Sequence, residues 1–79
     1  MNKILGHNIK TLTHWFRGNI KPVHAGIYIR DTLAPTYSYW DGRVWYMGHY
    51  SIEGAFKEHR ISGHQENKWR GLKELPTVK

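Results

Sequence analysis

The chain of 79 residues contains no cysteine. Disulfide bonds and thiolate metal sites are therefore excluded, and the absence fits a reducing cytosol. A single domain of this size buries only about 60–65% of the surface that its unfolded chain exposes. Because no disulfide or thiolate site reinforces it, its stability must come from packing. Four Trp, five Tyr and two Phe supply this packing, since each ring buries about 150–250 Å².

Long apolar runs are also missing. No segment approaches the ~20 apolar residues of a membrane span, and the start, MNKILGHNIK, lacks the apolar region of a signal peptide. We therefore expect a cytosolic protein with no membrane partner.

Acidic residues are missing from residues 1–22, which contain Lys3, Lys10, Arg17 and Lys21. The whole chain has 12 Lys and Arg against six Asp and Glu, a net charge of +6. This balance favours an anionic partner, either nucleic acid or the acidic surface of another protein. The alternative is a basic surface that only keeps the protein soluble.

Patterns typical of catalytic and metal sites are scarce. Of six histidines only His59 and His64 are close in sequence, and their spacing would put them roughly 140° apart on a helix, unlike the HExxH pair. Ser62 neighbours His64, but no third partner or strand–turn–helix elbow accompanies them. The eight glycines are scattered, so no phosphate-binding loop is present. We expect no catalytic residue, no bound metal and no cofactor.

The segment AGIYIRD alternates strictly and predicts a strand. Ile27 and Ile29 would lie on one face of this strand, and Tyr28 and Arg30 on the other. Farther along, Asp41-Gly42 divides the aromatic stretch YSYWDGRVWYMG, residues 37–48. An Asp-Gly pair between alternating runs predicts a hairpin with a two-residue type I′ turn.

That turn would place Trp40 opposite Arg43 in a cation–π pair, and Tyr37 opposite Tyr46. Two faces of the hairpin follow from the alternation. One carries Ser38, Trp40, Arg43, Trp45 and Met47, and the other carries Tyr37, Tyr39, Val44 and Tyr46. Both faces are aromatic, and a single helix would cover only one of them. The other would meet the N-terminal segment and WRGL, or stay available to a partner.

Ser51 is expected to cap a helix over residues 52–60, with Ile52, Phe56 and His59 on one face. The segment WRGL, residues 69–72, is expected to return Trp69 and Leu72 to the core. Residues 1–13 show helical spacing at Leu5, Ile9 and Leu12, although a loose basic tail remains an equal alternative.

These elements predict an α+β fold, a small antiparallel sheet of three to four strands with one helix packed on one face. The domain is expected over residues 14–73, between a basic N-terminal extension, residues 1–13, and a C-terminal tail, residues 74–79.

Three stretches, WFRGNIKPVHAGIYIR, YSYWDGRVWYMG and KWRGL, resemble a group of small accessory proteins encoded by bacteriophages and prophages. The resemblance covers about residues 15–73. It implies a protein that acts in the host cytoplasm by binding and inhibiting a host protein, such as a defence nuclease, a CRISPR effector or a replication or transcription enzyme. Its Trp and Gly positions mostly determine the fold, so it assigns no catalytic residue.

We therefore expect a non-enzymatic inhibitor that binds a host protein with an acidic surface, as a monomer or a homodimer. The alternative is a small nucleic-acid-binding domain that stacks bases on its aromatic rings and contacts phosphates with Lys and Arg. A third interpretation is that the rings only hold the sheet together. The predicted partner contacts are Tyr28, Arg30, Tyr37, Tyr39 and Tyr46, with Arg17 and Lys21 at the rim.

Overall fold

The computed structural model describes residues 3–4, 7–8, 12–32 and 35–71. In chain order the elements are β1 (Lys3–Ile4), β2 (His7–Asn8), β3 (Gly26–Arg30), β4 (Thr36–Trp40), α1 (Ile52–Lys57) and β5 (Trp69–Arg70). β1 and β2 pair antiparallel. The helix considered for residues 1–13 is therefore wrong over these strands, while Leu5 and Ile9 lie outside the described residues.

The central sheet has three antiparallel strands in the order β4-β3-β5. β3 pairs along its whole length with β4, from Gly26 opposite Trp40 to Arg30 opposite Thr36. On its other side Arg30 lies opposite Trp69 of β5. α1 packs against β3 and β4, so the predicted α+β fold is confirmed.

The turn after β4 lies at the predicted place but is longer than predicted. Trp40 pairs with Trp45 and not with Arg43. The Asp41 carboxylate explains the difference, because its Oδ1 accepts the backbone N–H groups of Arg43 and Val44 at 2.8 and 2.9 Å. The side chain thus holds a turn over residues 41–44, where the φ of 102° at the following glycine suits a residue without a side chain.

The register beyond this turn is also corrected. Trp45 lies opposite Trp40 instead of Ser38, and Tyr46 bonds Tyr39, so the register is shifted by two residues. Because side chains alternate with a period of two, Trp45 and Tyr46 still lie on their predicted faces. Farther along, Tyr37 pairs with His49 instead of Tyr46. The returning strand therefore contains one extra residue, as in a β-bulge.

α1 begins where the sequence predicts, since Ser51 Oγ accepts the N–H of Gly54 at 3.0 Å. It ends after six residues instead of continuing to Arg60. The Glu58 carboxylate accepts the backbone N–H groups of His59 and Arg60 at 3.0 and 2.9 Å. A side chain that binds these amides competes with the helical hydrogen bonds, so the chain leaves the helix there.

The two faces of the sheet carry different cores. The helix face, which α1 covers, contains Leu12, Ile27, Ile29, Tyr37 and Ala55, with Trp15, Tyr39 and Ile52 packed against them. The opposite tryptophan face contains Trp40, Trp45 and Trp69, with Phe16 and Tyr28 against them. Phe16 stacks on Trp69 at 4.5 Å between ring centroids, so the N-terminal segment and the first residues of WRGL cover this face. Leu72 lies outside the described residues.

Candidate partner-binding surface

The residues predicted to contact a partner do not share one surface. Tyr28 pairs with Ser38, so Tyr28 and Arg30 lie on the tryptophan face. Tyr37 and Tyr39 lie on the helix face. The predicted common surface is therefore wrong, because the alternation along β3 and β4 turns the two pairs to opposite sides.

Two of the predicted contacts are interior residues. Tyr37 is 4% exposed beneath α1, and burial raises its pKa above 10.0. Arg30 is 1% exposed and its guanidinium lies 4.9 Å from the centre of the Trp45 ring. Tyr28 is half-buried, and its hydroxyl donates to the backbone oxygen of His24 at 2.8 Å. A partner on the folded surface therefore cannot reach Tyr37 or Arg30.

The predicted rim residues differ from each other. Lys21 is half-buried, and its Nζ donates to the Gly18 oxygen at 2.7 Å and to Glu66 Oε2 at 2.9 Å. Its charge is thus engaged within the fold. Arg17 is exposed, as a rim contact requires.

Four neighbouring side chains at the end of the helix face remain partly exposed. The Tyr39 ring lies 5.9 Å from the Tyr46 ring and 6.2 Å from the Phe56 ring, between centroids. Ile61 lies opposite Tyr46 in an antiparallel bridge. Phe56 is 47% exposed and Ile61 59% exposed. We call Tyr39, Tyr46, Phe56 and Ile61 the Tyr–Phe patch.

The short helix explains why this patch is exposed. Six residues of α1 extend about 9 Å, whereas the five residues of β4 extend about 17 Å. Ala55 on α1 is fully buried against the sheet, but Phe56 reaches only the margin beside Tyr39. The end of β4 nearest the turn is therefore left without a helical cover.

Ile61 reaches the patch because the chain pairs with the hairpin after α1. Met47 N–H donates to the Arg60 oxygen, and Ser62 N–H to the Trp45 oxygen, both at 2.9 Å. Sequence reasoning missed Ile61, and no local signal marks it, since the pairing depends on a contact between segments distant in sequence.

The hydroxyl groups of the patch differ in their engagement. Tyr46 donates to Asp41 Oδ2 at 2.9 Å, which raises the Tyr46 pKa above 10.0. The pKa of Asp41 is lowered, first by the backbone N–H of Val44 and then by that of Arg43. The Tyr39 hydroxyl forms no hydrogen bond with another described residue. The patch therefore offers an apolar surface with one free hydroxyl.

The interior holds part of the positive charge. Arg30 and Arg70, two of the twelve basic residues, are 1% and 5% exposed. These two side chains therefore add no charge to a surface patch, which weakens the composition argument for nucleic-acid binding on the surface.

The other residues singled out in the sequence do not assemble a site in the described parts of the chain. His59 and His64 are exposed, and residues 12–32 and 35–71 contain no group of three His, Asp or Glu placed to hold a metal ion. Ser62 Oγ meets His64 through the backbone N–H and C=O, both at 3.0 Å, and not through the imidazole. Among the described residues no helix is long and apolar enough to cross a membrane.

Comparisons of the chain with known protein families, with curated proteins and with solved structures gave no match. The resemblance to small phage-encoded proteins therefore stays a prediction from the sequence.

Proposed function

We propose that this chain is a non-enzymatic, phage-type accessory protein that binds and inhibits a host protein in the host cytoplasm. The resemblance suggests a target in defence, CRISPR or nucleic-acid-processing machinery. The observation that carries the binding role is the Tyr–Phe patch, in which three rings and Ile61 adjoin and stay partly exposed. Aromatic residues are enriched at the centres of protein interfaces, and Tyr recurs at their hot spots.

The dimensions of the molecule are compatible with such an interface. A standard interface takes about 800 Å² from each partner, which is roughly a seventh of this chain's accessible surface of 5515 Å². Lys57, next to Phe56 in the chain, and Arg43, in the turn whose Asp41 bonds Tyr46, are exposed, and we expect them to supply a polar rim. Their charge favours a partner with an acidic surface.

The first experiment captures proteins from host-cell lysate on the immobilised chain, after nuclease digestion. The double variant Tyr39→Ala/Phe56→Ala should lose the dominant captured protein, because both rings leave the patch. Val23→Ala is the matched control, since Val23 is 90% exposed and lies outside the patch. Circular dichroism of each variant checks that it folds. Equal capture by the folded double variant and the wild type would refute the proposed surface.

Nucleic-acid binding is the second candidate, and exposed Arg17 in the acid-free stretch of residues 1–22 favours it. Phosphate contacts release counterions, so affinity for single-stranded DNA would fall steeply as salt rises. Binding led by aromatic burial would depend much less on salt. Arg17→Ala should then weaken DNA binding while capture of the host protein persists.

A second copy of this chain is a further possible occupant of the patch. Sedimentation of the wild type and of Tyr39→Ala/Phe56→Ala at several concentrations would reveal it. A dimer that the double variant abolishes would mean that the patch closes on itself.

A further inference from the structure

The tryptophan face buries a positive charge that has no counter-ion among the described residues. Arg30 is 1% exposed, and burial lowers its pKa to about 10, so it remains charged at neutral pH. The ion pairs of the described chain are Lys21–Glu66, His49–Glu58 and Arg60–Glu58, and none includes Arg30. A buried charge without a partner costs several kcal/mol, so its presence calls for a reason.

Among the described residues, the hydrogen bonds around Arg30 leave donors without acceptors, and no acceptor without a donor. Its Nη2 donates to the His64 oxygen at 2.5 Å and to Ser62 Oγ at 3.4 Å, whereas Nε and Nη1 have no partner. The indole Nε1 groups of Trp40 and Trp45 are likewise buried and without a partner. All four atoms are donors. A water molecule could satisfy some of them, but only an anion would also neutralise the charge.

The Trp45 ring contacts both Arg30 and Trp40. The Arg30 guanidinium lies 4.9 Å from the centre of the Trp45 ring, and the Trp40 ring lies 5.1 Å from the Trp45 ring. Cation–π contact with an indole contributes roughly 2 kcal/mol when it is desolvated. This contact supplies no hydrogen-bond acceptor for the guanidinium, and Nε and Nη1 remain without a partner.

A loop covers this cluster, residues 62–66, which we call the cover loop. Gln65 holds it against Trp45, whose backbone N–H and C=O both bond the Gln65 amide, at 2.8 and 2.9 Å. At Glu66 the loop packs against the backbone of Gly18, where only glycine fits, since a Cβ would lie 1.7 Å from the Glu66 oxygen. The His64 oxygen on Arg30 Nη2 occupies a position that an oxygen of a bound anion would take.

We propose that Arg30, with the indole N–H groups of Trp40 and Trp45, forms an internal site for an oxyanion with two adjacent acceptor oxygens, a phosphate or a carboxylate group. The anion enters when the cover loop lifts and the His64 oxygen leaves Nη2. A guanidinium binds such groups through two parallel N–H···O bonds. This site is separate from the Tyr–Phe patch and does not depend on it.

The test follows the indole N–H signals of the four Trp residues by NMR while inorganic phosphate or formate is added at constant ionic strength, with chloride as the balancing anion. We expect a saturable movement of the Trp40 and Trp45 signals. The Trp69 signal should stay, since its Nε1 already donates to the Ile20 oxygen at 2.6 Å. Saturation by phosphate alone would identify a phosphate group, and saturation by formate alone a carboxylate.

Variants of Arg30 decide whether it holds the anion. Arg30→Met should lose the saturable movement, and the exposed control Arg17→Met should keep it. Arg30→Lys, which keeps the charge without the planar fork, should bind roughly tenfold more weakly or worse. Absence of saturation by both anions in the wild type, or unchanged saturation in a folded Arg30 variant, would overturn the proposal.

Discussion

Each face of the central sheet buries one arginine against one tryptophan, and the two arrangements differ in completeness. On the helix face Arg70 lies 4.9 Å from the Trp15 ring centre, and its Nε donates to the Thr13 oxygen at 2.7 Å. On the tryptophan face Arg30 lies at the same distance from Trp45 but leaves two nitrogens without partners.

Arg70 therefore contributes a hydrogen bond that supports the fold, whereas the fold gives no structural reason for burying Arg30. The bond from Arg70 to the Thr13 oxygen connects β5 to the segment that follows Leu12. The Gly71 N–H, which donates to Thr13 Oγ1 at 2.8 Å, strengthens the same connection. Arg30 bonds only two atoms of the cover loop, Ser62 Oγ and the His64 oxygen. The comparison therefore predicts different energetic costs for removing the two side chains.

The largest effect should come from the tryptophan face itself. Trp45 is fully buried and contacts Trp40, Trp69 and Arg30. Trp45→Ala should lower the free energy of unfolding by about 3–5 kcal/mol, measured by urea denaturation. Because a domain of this size is marginally stable, we expect the variant to be largely unfolded even without urea. A loss below about 1 kcal/mol would show that this face is not a true core.

A smaller but more informative effect should separate the two arginines. Arg70→Met leaves the Thr13 oxygen without its donor and should cost about 1–3 kcal/mol. Arg30→Met exchanges a buried charge for an apolar side chain of similar volume and should be neutral or stabilising. Urea denaturation of both variants, beside the wild type, measures the contrast. If Arg30→Met proves the more destabilising, Arg30 is a structural residue after all.

Sequence reasoning succeeded where neighbouring residues decide the structure. The alternation of Gly26–Arg30 and the cap at Ser51 are local, and both are confirmed. The faces of Trp45 and Tyr46 were also correct, although their register was wrong. The turn at Asp41 was predicted wrongly because its carboxylate binds the backbone amides of Arg43 and Val44. Residue types alone do not show whether an Asp-Gly pair forms a two-residue turn or this longer one.

The candidate site was less predictable, because it depends on contacts between distant segments. Tyr37 and Tyr39 alternate with Ser38 as the sequence predicts, yet nothing in the sequence shows that α1 covers Tyr37 and stops short of Tyr39. The burial of Arg30 likewise depends on a loop more than 30 residues away, through a bond to His64.

On the helix-face side of the molecule, acid should weaken the contact that ends α1. The pKa of Glu58 lies well below its usual 4.5, mainly because the Arg60 side chain donates to the carboxylate, then through the Arg60 backbone N–H and His49. A lowered folded-state pKa adds stability that is present above pH 4.5 and is lost as the pH falls through the folded value. The tryptophan face contains no carboxylate in its described core and should not contribute to this loss.

Thermal unfolding at a series of pH values should therefore show that Glu58→Gln is less stable than the wild type at neutral pH, with a difference that shrinks below pH 4.5. Asp41→Asn controls for the second carboxylate with a lowered pKa among the described residues. A difference that stays constant down to the lowest pH would mean that the Glu58 charge does not stabilise the fold.

The smallest effect on stability should come from the edge that α1 leaves open. Phe56 is 47% exposed and contacts the Tyr39 ring at 6.2 Å, so Phe56→Ala removes only part of a buried side chain. The loss should be about 1 kcal/mol or less, since alanine also favours the helix more than phenylalanine does. Urea denaturation gives this value, and capture of the partner gives the functional effect. If the Phe56 ring contacts a partner, the variant should lose most of its binding and little of its stability. A loss of stability comparable to that of Trp45→Ala would place Phe56 in the core.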